Sequence, residues 1–121
     1  MYDKNNVFAK IIRGEVAAEK VYEDDQVLAF KDAFPIAPIH ILVIPKGEYL
    51  SFDDFIARAS DQEISHFYKA VHAVCTKLEL NKNGYRILSN VGEHGMQTVF
   101  HMHLHILGGE KLANLDKNHL R

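Results

Sequence analysis

The chain has 121 residues, which is enough for one domain with a single core. Apolar residues make up 47% and charged residues 25%, which are globular values and exclude disordered and fibrous chains. The net charge of −2 argues against nucleic acid as a partner, because it provides no strong positive field. We expect no membrane association, because the longest apolar runs fall short of the roughly 18 residues of a span. A single cysteine, Cys75, cannot form an internal disulfide and favours a reducing, cytoplasmic location.

The first third of the sequence predicts one short helix and three strands. Apolar residues recur at helical spacing from Val7 to Ile12, and Gly14 stands where a C-terminal cap would lie. Two runs rich in β-branched and aromatic residues flank Asp24 and Asp25, a pair that favours turns. A third apolar run is bounded by prolines. We predict a helix over 7–13 and strands over 20–23, 26–30 and 39–44.

The second half predicts one long helix and two more strands. Ser60 followed by Glu63 matches a capping box, and an apolar stripe at spacings of three and four follows it from Ile64 to Leu78. Residues 85–91 and 99–107 have strand character, with a loop containing two glycines between them. We predict an α+β domain in which a five-stranded antiparallel sheet packs against one long helix, with one short helix besides.

Three histidines alternate with apolar residues in the last predicted strand. His101, His103 and His105 should project from one face of the sheet, because successive side chains on a strand point to opposite faces. Met102, Leu104 and Ile106 should then face the core. Three adjacent cations would repel one another, so some of the rings should be neutral near pH 7. Neutral imidazoles can act as nucleophiles, as general bases or as metal ligands.

Two chemical interpretations of this strand are open. A His-x-His pair on a strand can present two nitrogens to zinc, but a third ligand is needed and His105 would lie too far along the strand to share the ion comfortably. Alternatively, one histidine attacks a phosphorus or carbonyl centre while its neighbours orient it and handle protons. The sequence contains neither a P-loop motif nor a Gly-x-Ser-x-Gly motif, which argues against P-loop enzymes and serine hydrolases.

The residues from His101 to Leu107 resemble the signature His-φ-His-φ-His-φ-φ, with φ apolar, of the histidine triad (HIT) nucleotide hydrolases and transferases. Further stretches are similar to the Hint branch of that family, so the resemblance spans nearly the whole chain: residues 8–13, 23–25, 29–32, 37–45, 84–86 and 108–109. It implies a HIT-like fold for a single domain over 1–121 with a short tail from about 110. It also implies a homodimer that binds purine nucleotides and hydrolyses nucleoside phosphoramidates, some relatives also cleaving aminoacyl adenylates.

The resemblance assigns roles to individual residues. The middle histidine, His103, would attack the α-phosphorus to give a nucleotidyl-histidine. His101 would support it, His105 would contact the phosphate and the leaving group, and His40 would join the proton-handling network. We therefore expect no metal ion and no other cofactor. Asp32 would bind the ribose hydroxyls, and four further residues would surround the base, namely Phe8, Ile11, Phe30 and the backbone near Ala33.

The loop before the histidines is expected to bind phosphate. Asn90, Gln97 and Thr98 would supply backbone or side-chain donors there, as would the backbone at Met96. The sequence departs from the Hint branch in this loop, since glycine is common where Met96 stands and serine where Thr98 stands. A second function class also stays open, because an intact triad is equally compatible with a nucleotide-binding regulatory dimer whose hydrolysis is incidental.

Overall fold

The computed structural model describes residues 1–113 and 120–121. It contains a five-stranded antiparallel sheet with three α-helices and one 3₁₀ turn. In chain order these are α1 Val7–Ile12, β1 Lys20–Glu23, β2 Val27–Lys31, β3 Ile39–Pro45, α2 Phe52–Arg58, α3 Asp61–Lys77, the 3₁₀ turn Leu80–Lys82, β4 Arg86–Leu88 and β5 Leu104–Gly108. The strand order is β1-β2-β3-β5-β4, which confirms the predicted α+β class and the number of strands. The predicted tail falls partly outside the described residues.

Local side-chain caps explain where the helices begin. The Asn6 side chain accepts the N–H of Ala9 at 2.9 Å at the start of α1, and Ser60 Oγ accepts the N–H of Glu63 at 3.1 Å at the start of α3. The capping box at Ser60 is only half formed, because the Glu63 carboxylate accepts the Tyr49 hydroxyl at 2.8 Å. The short helix α2 was not predicted from the sequence.

The last two strands are shorter than predicted. β4 and β5 form ladder pairs only over Arg86–Leu88 and Leu104–Gly108, so His101 and His103 precede the regular strand. Their segment follows another path, because the N–H of Met102 donates to the Tyr49 carbonyl at 2.7 Å. The side chains nevertheless keep the predicted alternation, with Met102 in the core under α3 and the histidines on the opposite face.

The two faces of the sheet are covered differently. Under α3 lies an apolar cluster, here called the α3 face, of Val27, Ala29, Ile41, Val43, Phe55, Phe67, Ala70, Val71, Val74, Cys75, Leu80, Met102, Leu104 and Ile106. Under α1 lies a smaller cluster of Phe8, Ile11, Leu28, Phe30, Leu42 and Ile44, and we call it, with His40, His101, His103 and His105, the histidine face. Among the described residues, none of the helices combines the length and the apolar character needed to cross a membrane.

Candidate active site

Four histidines come together on the histidine face. His105 on β5 is paired with Leu42 of β3, and His40 on β3 is paired with Leu107, so the two imidazoles project from the same side of neighbouring strands. His101 and His103 lie just before β5. All four side chains are buried, with at most 4% of the residue exposed. The structure therefore brings together all four residues that the sequence predicted to be catalytic.

The hydrogen bonds of His40 and His105 fix where their protons lie. The backbone N–H of Ile36 donates to His40 Nδ1 at 3.1 Å, so that nitrogen carries a lone pair. Neutral His40 then holds its proton on Nε2, which lies 2.9 Å from His105 Nδ1. His105 therefore accepts the His40 proton at Nδ1, and neutral His105 carries its own proton on Nε2.

His101 and His103 form a second set of hydrogen bonds, which leaves a lone pair, and not a proton, on the free nitrogen. His101 Nε2 donates to the Pro45 carbonyl at 2.7 Å, and its Nδ1 accepts the Tyr2 hydroxyl at 2.5 Å. The carbonyl of His101 in turn accepts from His103 Nδ1 at 2.6 Å. Because the proton of neutral His103 is held on Nδ1, its Nε2 keeps a free lone pair.

Burial keeps these rings neutral. It lowers the pKa of His101 to about 4 and that of His105 to about 3, in the latter case helped by the neighbouring imidazoles of His103 and His40. Burial also lowers the pKa of His103, against the hydrogen bond to the His101 carbonyl, and the pKa of His40, against the attraction of Asp32. At neutral pH the site thus holds uncharged imidazoles, whereas the adjacency of the three histidines predicted this for only some of them.

Two buried nitrogens have no hydrogen-bond partner among the described residues, His103 Nε2 and His105 Nε2. Leaving a buried polar group unpaired costs about 1–3 kcal/mol, so such atoms mark places where a ligand is expected. The two rings lie edge to face with centroids 5.2 Å apart. By the proton positions above, His103 Nε2 offers a lone pair and His105 Nε2 offers a proton.

A cavity of about 600 Å³ opens beside α1 and the end of β2, within the range of small-ligand sites. Its lining includes four of the predicted substrate-binding residues, namely Ile11, Phe30, Asp32 and Ala33. Phe8 is fully buried and contacts the His103 ring edge to face, with centroids 4.9 Å apart. None of the four histidines lines the cavity, and Phe8 packs between His103 and Phe30 of the cavity wall.

Asp32 connects the cavity to the proton chain. Its carboxylate accepts the N–H of Phe34 at 2.8 Å and lies 3.4 Å from His40 Nε2. Asp32, His40 and His105 also place one potential ligand atom each within 4.8 Å of one another, which is close enough to share a metal ion. A metal ion bound there would have to replace the proton that His40 shares with His105. The absence of a metal ion stays a prediction.

The loop before the histidines is held by hydrogen bonds within the loop and to distant parts of the chain. The Gln97 side chain accepts the N–H of Gly92 at 2.9 Å and donates to the carbonyls of Leu50 and Val99, which leaves it no free N–H for a phosphate. The N–H of Thr98 donates to the Arg121 carbonyl at 3.1 Å. Asn90 is half-buried.

Met96 has a left-handed backbone with φ of 61° and is 58% exposed. Glycine adopts that conformation without strain, whereas the side chain of Met96 makes it costly.

Three residues near the histidines were not found from the sequence. Tyr2 contacts His101, Ile36 fixes His40 through its backbone, and Arg121 lines the cavity with its guanidinium 5.6 Å from the Phe8 ring centroid and 5.4 Å from that of Phe34. Tyr2 and Arg121 stand at opposite ends of the chain and belong to no motif. Only the tertiary fold brings them to the site, so no pattern in the sequence indicates them.

Comparisons with known proteins agree with this arrangement. A family model described as HIT domain matches residues 13–112. An uncharacterized HIT-like protein of Rickettsia prowazekii is 53% identical over 118 residues, which is 98% of this chain and 98% of that protein. The purine nucleoside phosphoramidase of Escherichia coli is 36% identical over 110 residues, which is 91% of this chain and 92% of that enzyme. A solved histidine triad protein from Clostridium difficile matches with a TM-score of 0.82 and 41% identity, covering 96% of this chain and 100% of that one. The chain therefore belongs to the HIT domain family.

Proposed function

We propose that the protein hydrolyses purine nucleoside 5′-phosphoramidates through a nucleotidyl-histidine on His103. The observation that carries this proposal is the pair of unpartnered nitrogens, a lone pair on His103 Nε2 beside a proton on His105 Nε2. Breaking a P–N bond needs both a nucleophile for phosphorus and a proton for the departing amine. The name of the Escherichia coli relative, a purine nucleoside phosphoramidase, supports the same reaction class.

In the first step His103 Nε2 attacks the α-phosphorus and the P–N bond breaks. The amine leaves with the proton of His105 Nε2. Nucleotidyl-His103 is then an imidazolium, and its positive charge balances the negative charge that the departing proton leaves on the His105–His40 pair, whose nitrogens lie 2.9 Å apart. In the second step water attacks the phosphorus, its proton returns to His105, and the P–N(His103) bond breaks to release the nucleoside monophosphate, such as AMP.

The nucleoside is proposed to lie in the cavity beside α1. Phe30 and Ile11 offer apolar walls for a purine ring, and the Asp32 carboxylate can accept two ribose hydroxyls. These apolar walls do not distinguish the polar edges of adenine and guanine. We therefore propose a purine nucleoside without choosing between the two bases.

The proposed assembly is a homodimer joined through β4, in a cytoplasmic protein. β4 is an edge strand, hydrogen-bonded to β5 alone among the described strands. Ile87 on β4 is 46% exposed and the adjacent Tyr85 is 39% exposed, so an apolar edge is open to a second copy. Light scattering should give twice the chain mass for the wild type. Ile87→Lys should give the mass of one chain, and a monomeric wild type would reject this assembly.

One observation favours the alternative, a regulatory dimer that binds nucleotide with incidental hydrolysis. Two of the predicted phosphate donors in the loop, the Gln97 amide and the Thr98 N–H, are already hydrogen-bonded within the chain. A site with fewer free donors would stabilise the phosphorus transition state less well.

The deciding experiment measures kcat/KM for adenosine 5′-phosphoramidate, guanosine 5′-phosphoramidate and an aminoacyl adenylate, together with calorimetric binding of AMP. We expect conversion of the phosphoramidates to the monophosphate and ammonia, unaffected by chelators. AMP binding without turnover would favour the regulatory alternative. Activity lost together with one zinc ion per chain would favour the metal interpretation.

A further inference from the structure

Tyr2 reaches the histidine site from the N-terminal segment, before α1 begins. Its hydroxyl lies 2.5 Å from His101 Nδ1, and the two rings pack edge to face with centroids 5.6 Å apart, although 99 residues separate them in the chain. Tyr2 is half-buried and does not line the cavity beside α1. Its contact with the site is therefore directed at a histidine and not at the nucleoside pocket.

The Tyr2 hydroxyl completes the hydrogen bonding of His101. Since His101 Nε2 donates to the Pro45 carbonyl, its Nδ1 must accept, and the Tyr2 hydroxyl is the donor. Without that hydroxyl, Nδ1 would be a buried acceptor with no partner, and the ring would be held by its bond to the Pro45 carbonyl alone. Tyr2 thus fixes the orientation of the His101 ring.

His101 contacts His103 through its backbone and through its ring. The backbone carbonyl of His101 accepts the proton of His103 Nδ1 at 2.6 Å, and this bond leaves His103 Nε2 with its lone pair. A charge on the His101 ring would also act on the neighbouring imidazole, since the two rings repel each other when protonated. Phe8 lies against both rings, with centroids at 6.4 Å from His101 and 4.9 Å from His103, so neither ring can move independently.

We propose that Tyr2 is a positioning residue for the reaction: its hydroxyl fixes the orientation of the His101 ring, which together with Phe8 holds the His103 ring in place to attack. This inference rests on the proposed function, because it assigns a residue to that same reaction. The titratable groups that face the pair are His103 beside His101, and Asp3, Arg13 and Glu48 around Tyr2.

The test is Tyr2→Phe, which removes the hydroxyl and keeps the ring. Tyr22→Phe is the matched control, because it removes a hydroxyl bonded to Asp24 at 2.6 Å, away from the four histidines. Loss of one hydrogen bond in the transition state corresponds to a fall of about fivefold in kcat. We expect that fall for Tyr2→Phe, with KM for adenosine 5′-phosphoramidate within twofold. Tyr22→Phe should leave both unchanged.

A second readout does not depend on turnover. Long-range ¹H–¹⁵N spectra of the histidines should show His101 as an Nε2–H tautomer in both proteins, with its Nδ1 resonance shifted in Tyr2→Phe because that nitrogen loses its hydrogen-bond donor. Wild-type kcat in Tyr2→Phe would overturn the proposal, as would an unchanged His101 Nδ1 resonance. If no phosphoramidate is hydrolysed by any variant, the proposed function fails, and the spectra still show whether Tyr2 controls His101.

Discussion

Both faces of the sheet are buried, and they have different roles. The α3 face consists entirely of apolar groups, whereas the histidine face has four imidazoles among its apolar side chains. The same strands supply both, since Ile41 of β3 points to one side and His40 to the other. The comparison shows how a small domain separates stability from chemistry by the alternation of side chains along a strand.

The separation also has an energetic side. Each unpartnered nitrogen on the histidine face costs about 1–3 kcal/mol, and the burial of large apolar side chains on the α3 face offsets that cost. Substitutions on one face should therefore change activity with little effect on the fold, and substitutions on the other should change stability with little effect on turnover. The following predictions test that division.

The largest effect is expected from His103→Ala on the histidine face. It removes the lone pair that attacks phosphorus, so kcat for adenosine 5′-phosphoramidate should fall by at least about 10³-fold. Circular dichroism and AMP binding should persist, because the cavity is lined by other residues. Near wild-type turnover in this variant would reject His103 as the nucleophile.

The opposite outcome is expected from Phe67→Ala on the α3 face. Phe67 is 1% exposed and packs edge to face against Phe55 and Tyr68, with centroids at 5.2 and 5.1 Å. The cavity left by its ring should lower the free energy of unfolding by about 3–5 kcal/mol. Urea unfolding measures this change, and kcat per folded molecule at low temperature should stay at the wild-type value. A large loss of kcat in the folded variant would contradict the division.

A pH-dependent effect of intermediate size is expected from His105. Its pKa is about 3 in the folded protein and about 6.5 when unfolded, so between about pH 4 and 5.5 only the unfolded state binds the proton. His105 therefore makes the free energy of unfolding fall as pH falls through this window, by about 1.4 kcal/mol per pH unit. His105→Gln should reduce the slope by that amount in urea titrations. An unchanged slope would mean that His105 is not buried in its neutral form.

The smallest effect is expected at two residues with a left-handed backbone, one near the histidine face and one near the α3 face. Met96 (φ 61°) lies in the loop before the histidines, and Glu79 (φ 58°) follows α3. Replacing either with glycine should raise the free energy of unfolding by about 0.5 kcal/mol, since relief of strain exceeds the added freedom of the unfolded chain. Thermal unfolding measures both. Met96→Gly should raise kcat/KM, and Glu79→Gly should leave it unchanged. An equal rise in kcat/KM in both variants would mean that the increase does not come from the loop before the histidines.

Much of this organisation is predictable from local pattern. The predicted alternation of side chains places His101 and Met102 on opposite faces. The caps at Asn6 and Ser60 begin α1 and α3 near the predicted residues. What sequence pattern misses depends on tertiary contacts. The path of His101 and His103 is set by Tyr49, a partner some 50 residues away, and the His101 ring is contacted by Tyr2, 99 residues away. Such partners carry no periodic signal.

The most direct test of the central claim, that His103 Nε2 attacks phosphorus, is the stereochemical course of hydrolysis. A nucleoside phosphoramidate made chiral at phosphorus with oxygen and sulfur labels is hydrolysed, and the configuration of the product is read by ³¹P NMR. Two successive in-line displacements, first by His103 and then by water, predict net retention. Clean inversion would mean that water attacks directly, and His103 would then act as a general base instead of a nucleophile.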